Sequence, residues 1–267
     1  MNILVCCKIV NDLDQVLPGD WQSGPEGRMD ISYAGRIFNY FDESALELGL
    51  RLKDGYGSAV ITALTLAGRE ESLLKNLLAL PFDRVARLAL EHGSEFSPLQ
   101  TAARLTAFIK AEPDYDLILM GRQAGPADSG QVPLLCAEML NLPCLTQVIG
   151  LRRLEENIFQ ARSRGDGGIK IITFKGPALL ALGNMENAFL RIPTLKQKLA
   201  AQQREVETVS SLPAWDQLAP ECANSVLQKL RKKERSRKLI MLKGDSLPRQ
   251  ARELYALICN QLARTRT

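Results

Sequence analysis

Asp116-Leu117-Ile118-Leu119-Met120 runs straight into Gly121-Arg122-Gln123-Ala124-Gly125-Pro126-Ala127-Asp128-Ser129-Gly130-Gln131-Val132-Pro133. The first stretch is short, apolar and β-prone, and reads as a strand buried on both faces. In the second, three glycines let the backbone approach a ligand and turn its N–H groups toward it. Ser129 and Gly130 are expected to start a helix to about Leu140, whose N-terminus favours an anion. Ser129 adds a hydroxyl donor, and Arg122 and Gln123 add side-chain donors. A strand, a glycine loop and a helix in that order suit the phosphates of an adenine nucleotide at the edge of an open α/β sheet. Neither G-x-G-x-x-G nor G-x-x-x-x-G-K-[ST] is present, so an ordinary strand-to-helix loop is the competing reading.

The same alternation extends toward the N-terminus. Asn2–Cys7, Ala59–Leu66 and Val85–Leu90 read as further buried strands. Helices are expected from Asp42, where Asp42 and Glu43 suit the positive end, from Gly68 to Pro81, and from Ser97-Pro98 to about Ala111. Strands alternating with helices of this length indicate a doubly wound, mostly parallel, Rossmann-like sheet. Ligands of such sheets sit outside the carboxyl ends of the strands, here near Cys6, Leu66, Leu90 and Met120. Asn39-Tyr40-Phe41-Asp42 is a polar and aromatic cluster that could grip a purine or ribose at that edge, or serve as an N-cap with an aromatic staple. Pro18 to Asp30 reads as a loop or hairpin.

Beyond about Gly150 the pattern changes. A short strand at Cys144–Val148 is followed by strands at Leu151–Phe159 and Ile169–Phe174, joined by a turn at Arg164-Gly165-Asp166-Gly167-Gly168. Pro177–Leu182 is one more apolar strand. Ile192-Pro193 leads into a helix to about Gln203, and a last amphipathic helix is expected at Leu247–Leu262. A nucleotide-binding domain over residues 1–206 and a C-terminal arm over 207–267 are the expected divisions. An arm with so little core of its own lies on something else, its own domain or a partner.

The chain has 267 residues, 46% hydrophobic and 24% charged, with a net charge of +4. That sustains a sizeable core and does not by itself point to nucleic acid. The run Arg231–Lys238 is locally basic but has no interleaved aromatics for base stacking, so it reads as a solvated linker or a dock for an acidic surface. No apolar run approaches a membrane span and no signal peptide is visible, so a cytoplasmic location is expected. The six cysteines form no C-x-x-C pair, and the single His92 has no triad or ligand set around it. Neither a metal site nor a catalytic group is expected, and the cysteines read as reduced, mostly buried thiols.

Several of these segments together resemble the beta (small) subunit of electron-transfer flavoproteins, from Asn2 to about Val206 and more weakly in the last helix. The matching segments are Ile3–Lys8, Asn39–Asp42 with Glu43 and Arg51–Lys53, Thr65-Leu66, Gly121–Ala124 with Asp128–Val132, Asp166–Gly168, Pro177–Leu180 and Ile192-Pro193. The resemblance implies a heterodimer with an alpha subunit that carries the redox-active FAD on a mobile domain, the FAD being shared between the subunits. It also implies AMP, or in bifurcating members a second FAD, in the beta subunit. The implied cofactor-binding residues are Cys6, Asn39, Tyr40, Phe41, Asp42, Leu66, Gly121, Arg122, Gln123, Ala124, Gly125, Asp128, Ser129, Gly130, Gln131 and Val132. Arg164, Ile192 and Pro193 are the implied docking residues toward the flavin domain and toward dehydrogenase or quinone-reductase partners.

Such a chain is an electron-carrier subunit and not an enzyme, its redox chemistry being supplied by the flavin. Three departures stand out: Tyr40 where the family usually has proline, Gly125-Pro126-Ala127 at the loop centre, and Ser163-Arg164 in place of a basic–acidic pair. Arg164 would repel an arginine of the flavin domain that an acid there would attract. Two other readings of the same sheet are an ATP-binding hydrolase or ligase and a nucleotide-sensing module. The hydrolase-type Ser-Gly-Gly-x-Asp-Ser loop is missing after the first strand, where Lys8-Ile9-Val10-Asn11-Asp12 stands.

Overall fold

The computed structural model describes residues 1–20, 31, 33–68, 70–89, 97–125, 128–186, 189–210, 212, 240–243 and 246–264. His92, Pro126, Ala127, Leu90 and the basic run Arg231–Lys238 lie outside them, as does most of the Pro18–Asp30 segment. Contacts divide the chain into two units, Met1–Lys229 and Leu230–Thr267.

In the first unit, β1 (Asn2–Cys7), β4 (Val60–Ala67), β5 (Arg84–Ala89), β6 (Leu117–Gly121) and β10 (Ala178–Leu182) are the parallel strands at the sheet's centre. Around them lie β11 (Glu207–Val209) at one edge and β7 (Cys144–Glu155), β8 (Ile158–Gly165) and β9 (Gly168–Lys175) toward the other. The order is β11-β5-β4-β1-β6-β10-β7-β8-β9. Strands from β11 to β7 are parallel to their neighbours, and β7, β8 and β9 form an antiparallel meander. A two-stranded ribbon of β2 (Ile9–Asn11) and β3 (Arg36–Phe38) stands beside the end of β1. The α/β, mostly parallel reading of the sequence is thus the observed architecture.

Strand alternation divides the core. Ile3, Val5 and Cys7 of β1 pack with α1 (Tyr40–Tyr56) and α2 (Glu71–Ala79) on one face. Leu4 and Cys6 pack with α3 (Pro98–Ala111) and α4 (Val132–Leu140) on the other. Successive side chains of a strand point to opposite faces, so an unbroken apolar run can serve both layers. α3 starts as its sequence indicates, with the Ser97 hydroxyl accepting from Gln100 N–H at 3.3 Å and Pro98 in the first turn. α5 (Leu195–Ala201) opens with a capping box between Thr194 and Gln197.

Three local readings are corrected. The helix expected from Ser129 begins at Val132, because Asp128 and Gly130 take positive φ (50° and 64°) and interrupt the helical conformation. The strand expected at Leu151–Phe159 is two strands: Glu156-Asn157 turns the chain, with Asn157 at φ 58°, a conformation asparagine tolerates. As a result β7 is one long strand that also absorbs Cys144–Val148. The helix expected from Asp42 starts two residues earlier, at Tyr40, with Asn39 as its N-cap. The division expected at residue 206 falls just before β11, which pairs with β5 in the main sheet. The second unit contains α6 (Leu247–Arg264). Among the described residues, no helix is long and apolar enough to cross a membrane.

Candidate functional site

From β1 the chain builds outward through β4 to β5, then returns to the other side of β1 for β6. Outside the carboxyl ends of β1 and β6 the connections therefore diverge and leave a crevice, the usual ligand position in an open α/β sheet. A cavity of about 480 Å³ opens there. Its walls come from the end of β1 (Cys6, Cys7), the segment after it (Lys8 to Asn11), the end of β4 (Leu66, Ala67), the end of β6 (Met120, Gly121) and the loop before α4.

The loop is held from below by the segment that opens α1. Asp42 is buried, and both its oxygens are engaged by main-chain donors: Gly121 N–H at 2.7 Å to Oδ1 and Lys8 N–H at 2.9 Å to Oδ2. One carboxylate thus ties together the ends of β1 and β6, the two strands that flank the crevice. Burial pushes its pKa up to about 6, and the two backbone hydrogen bonds limit the rise. Asn39 donates through Nδ2 to the Gln123 carbonyl at 2.9 Å. The Arg122 guanidinium lies 4.5 Å from the centre of the Phe41 ring. A Cβ on Gly121 would come within 2.8 Å of Phe41 Cβ and 2.9 Å of Asp42 N, so glycine is required by close packing here.

Of the residues singled out in the sequence, Cys6, Asp42, Leu66, Gly121, Gln123, Ala124, Ser129, Gly130, Gln131 and Val132 line the cavity. Asn39, Tyr40, Phe41, Arg122, Gly125 and Asp128 are not in its lining. Within the chain, Asn39 and Phe41 contact the loop, and Tyr40 is exposed. The expected side-chain donors also have intrachain contacts. Arg122 is drawn to Phe41, and Gln123 donates through Nε2 to Asp128 Oδ2 at 2.8 Å. At the α4 end the cavity meets Ser129 and the first-turn N–H groups, which no helix can satisfy internally.

The sequence reading missed one wall. Asn11, Arg36 and Glu70 line the cavity as a connected series, Arg36 donating to Asn11 Oδ1 at 2.8 Å and to Glu70 Oε1 at 2.6 Å. The signal for Asn11 lay in its position just past the first parallel strand. Arg36 comes from the ribbon and Glu70 from the residue just before α2, positions that carry no motif. Cys6, Cys7 and Cys136 are buried, and burial raises the thiol pKa of Cys6 and Cys7 and takes that of Cys136 to about 12, which disfavours the reactive thiolate.

The residues expected to dock a partner, Arg164, Ile192 and Pro193, are not in the lining of this cavity. Arg164 is exposed near the end of β8, beside Ser163, whose hydroxyl donates to the Thr146 carbonyl at 2.6 Å. Ile192 is 85% exposed, and Phe189 and Leu195, which the sequence reading passed over, are 80% and 74% exposed. Between Phe189 and Ile192 sits Arg191, which donates through Nη2 to Glu47 Oε1 at 2.9 Å, through Nε and its own N–H to Glu47 Oε2 at 3.1 Å, and through Nη1 to Asp54 at 2.7 Å. An apolar loop is thereby fastened to the surface of α1.

A sequence model described as electron transfer flavoprotein domain matches residues 29–214, which include the Asn39–Asp42 segment, the glycine loop, the meander and the Ile192 loop. The chain belongs to the electron transfer flavoprotein domain family. Over 259 residues it is also 27% identical to an Escherichia coli (strain K12) protein named "Putative electron transfer flavoprotein subunit YgcR", covering 96% of each chain. Membership of the electron transfer flavoprotein family supports a role in electron transfer, and members of this family act as carriers rather than as classical enzymes. The parallel sheet, the crevice and the exposed loop are therefore features of a member of the electron transfer flavoprotein domain family.

Proposed function

We propose that this chain is the small, beta-type subunit of a heterodimeric electron-transfer flavoprotein, and that its cavity holds an adenosine phosphate. The observation that carries the reading is the cavity at the β1–β6 crossover, closed by the Gly121–Val132 loop, in a chain of this family. The residues present fit such a group. Gly121 and Gly130 carry no side chain into the space, Leu66, Met120 and Val132 offer apolar walls for a purine, and the α4 N-terminus favours a phosphate. The nucleotide is AMP or the adenosine half of a second FAD, since both present the same chemistry to the loop. Cys6, Asn39 to Asp42, Leu66, Gly121 to Gly125 and Asp128 to Val132 form its binding site, Asn39, Phe41, Asp42, Arg122 and Asp128 also holding the loop in shape.

The redox step belongs to an FAD shared with an alpha-type subunit, and this chain binds, orients and docks. Ile192, held by Pro193 and flanked by Phe189 and Leu195, is an apolar anchor for a dehydrogenase or quinone-reductase partner. The test is the nucleotide released when the purified two-subunit complex is denatured. One FAD with AMP identifies a simple carrier, and two FAD with reduction by NADH identify a bifurcating one. A colourless complex without adenine nucleotide overturns the proposal.

A further inference from the structure

One wall of the cavity is assembled from three separate parts of the chain. Asn11 ends β2, Arg36 stands opposite it at the start of β3, and Glu70 comes between β4 and α2. Arg36 spans the other two, Nη1 donating to Asn11 Oδ1 at 2.8 Å and Nη2 to Glu70 Oε1 at 2.6 Å. The guanidinium fork thereby fixes what its neighbours have left to offer. With Oδ1 taken, Asn11 keeps its Nδ2 donor, for which no described residue supplies an acceptor. With Oε1 taken, Glu70 keeps Oε2, which is buried and has no hydrogen-bond partner. A buried carboxylate oxygen without a donor is costly, so an orphan of this kind in a cavity wall is matched to a donor that the chain itself does not supply.

The place of this wall decides which part of a nucleotide meets it. Glu70 follows β4 and the loop before α4 follows β6, with β1 between them, so the two lie about two strand spacings apart, roughly 10 Å. A nucleoside monophosphate spans such a gap with its phosphate at one end and its base at the other. The α4 N-terminus attracts the phosphate, and the Glu70 carboxylate repels it, so the base faces Glu70. Adenine carries an amino donor, N6, beside a ring acceptor, N7, whereas a 6-oxopurine carries an acceptor oxygen where adenine has the amino group. We propose that Glu70 determines the base specificity of this site: Oε2 accepts from the 6-amino group, Asn11 Nδ2 donates to the adjoining ring nitrogen, and Arg36 positions both. The inference rests on the adenosine-phosphate reading above, to which it adds the residues that select adenine.

The test uses the full chain co-expressed with its alpha-type subunit and freed of bound nucleotide. AMP and IMP, which differ at position 6 of the purine, are titrated into the wild type, Glu70→Gln and Glu70→Ala. In Glu70→Gln the oxygen stays with Arg36 and the NH2 group takes the place of Oε2. AMP affinity is then expected to fall roughly tenfold or more while IMP affinity rises, so that the preference for AMP narrows or reverses. Glu70→Ala is expected to lose AMP affinity to a similar extent and to leave IMP affinity near its wild-type value. Because the readout is the ratio of the two affinities, a general loss of folding does not imitate it. An equal loss for both nucleotides marks a structural role for Glu70 and overturns this inference, as does unchanged AMP affinity in both variants or a wild-type preference for IMP. Each of those results leaves the nucleotide site standing. A wild-type complex that binds neither AMP nor IMP overturns the adenosine-phosphate reading as well.

Discussion

The parallel and antiparallel parts of this sheet treat polar groups in opposite ways. At the β1–β6 crossover a buried carboxylate has both oxygens matched to main-chain donors, and a buried amide holds a loop carbonyl. On the outer face of the meander, arginines and isoleucines stand exposed with no acid among them. Groups that satisfy one another inside a chain shape a site, whereas groups left unmatched at the surface stay open to solvent. The Ile192 loop joins the two strategies, since its apolar tip is open while Arg191 beneath it is bound to Glu47 and Asp54.

The strongest way to break that contrast is at its tightest point. Gly121→Ala forces a methyl against Phe41 and the α1 backbone, and is expected to cost about 3 kcal/mol of stability in denaturant unfolding, with loss of the retained nucleotide. Arg191→Ala leaves the buried Glu47 carboxylate without its main partner and is expected to cost about 2 kcal/mol, discounted because the arginine is partly exposed. It should also weaken binding through the Ile192 loop while nucleotide content stays at the wild-type level, as judged by extraction.

Asp42→Asn sharpens the same contrast. An asparagine offers one acceptor oxygen to two N–H donors, so one donor meets an NH2 group, at a cost of about 1–3 kcal/mol. In the wild type, the folded pKa of about 6 lies above the ordinary 3.8, so the folded state binds the extra proton. This group's contribution to stability therefore falls as pH rises between about 4 and about 6, and the asparagine variant should lack that slope in unfolding measured across the window. Ile171→Ser and Arg164→Glu, on the open face, should change unfolding stability by less than about 0.5 kcal/mol. A large stability loss there would mean that the face is packed and not open.

How much was legible beforehand follows from the range of each interaction. Strands β1, β4, β5 and β6 and helix α3 were readable because burial on both faces, proline at a first turn and a serine cap are written in neighbouring residues. The hairpin at Glu156-Asn157 was missed because apolar residues stand on both sides of it, at Leu151, Leu154, Ile158 and Phe159, although the polar run Glu155-Glu156-Asn157 was the available sign. The start of α4 was misjudged by three residues for a related reason. Backbone conformations at Asp128 and Gly130 are set by the bond from Gln123 to Asp128 and by the close approach of Gly130 to the Arg122 carbonyl, and neither is a helix propensity.

By itself the sequence determined the architecture, the edge of the sheet where the cavity opens and the glycine loop that lines it. Hydrophobic periodicity and glycine positions act over a few residues and survive in one dimension. Only the tertiary structure decided what each polar residue of the site does. It brought Asn39 to the Gln123 carbonyl and Phe41 to Arg122, placed Arg36 and Glu70 in the cavity wall, and set Arg162 opposite Ile171. The reason is physical: a hydrogen bond or ion pair goes to whichever partner the packed chain brings within about 3 Å. Residues 34 or 79 positions apart, as in the two bonds of Asp42, become neighbours only once the sheet has formed.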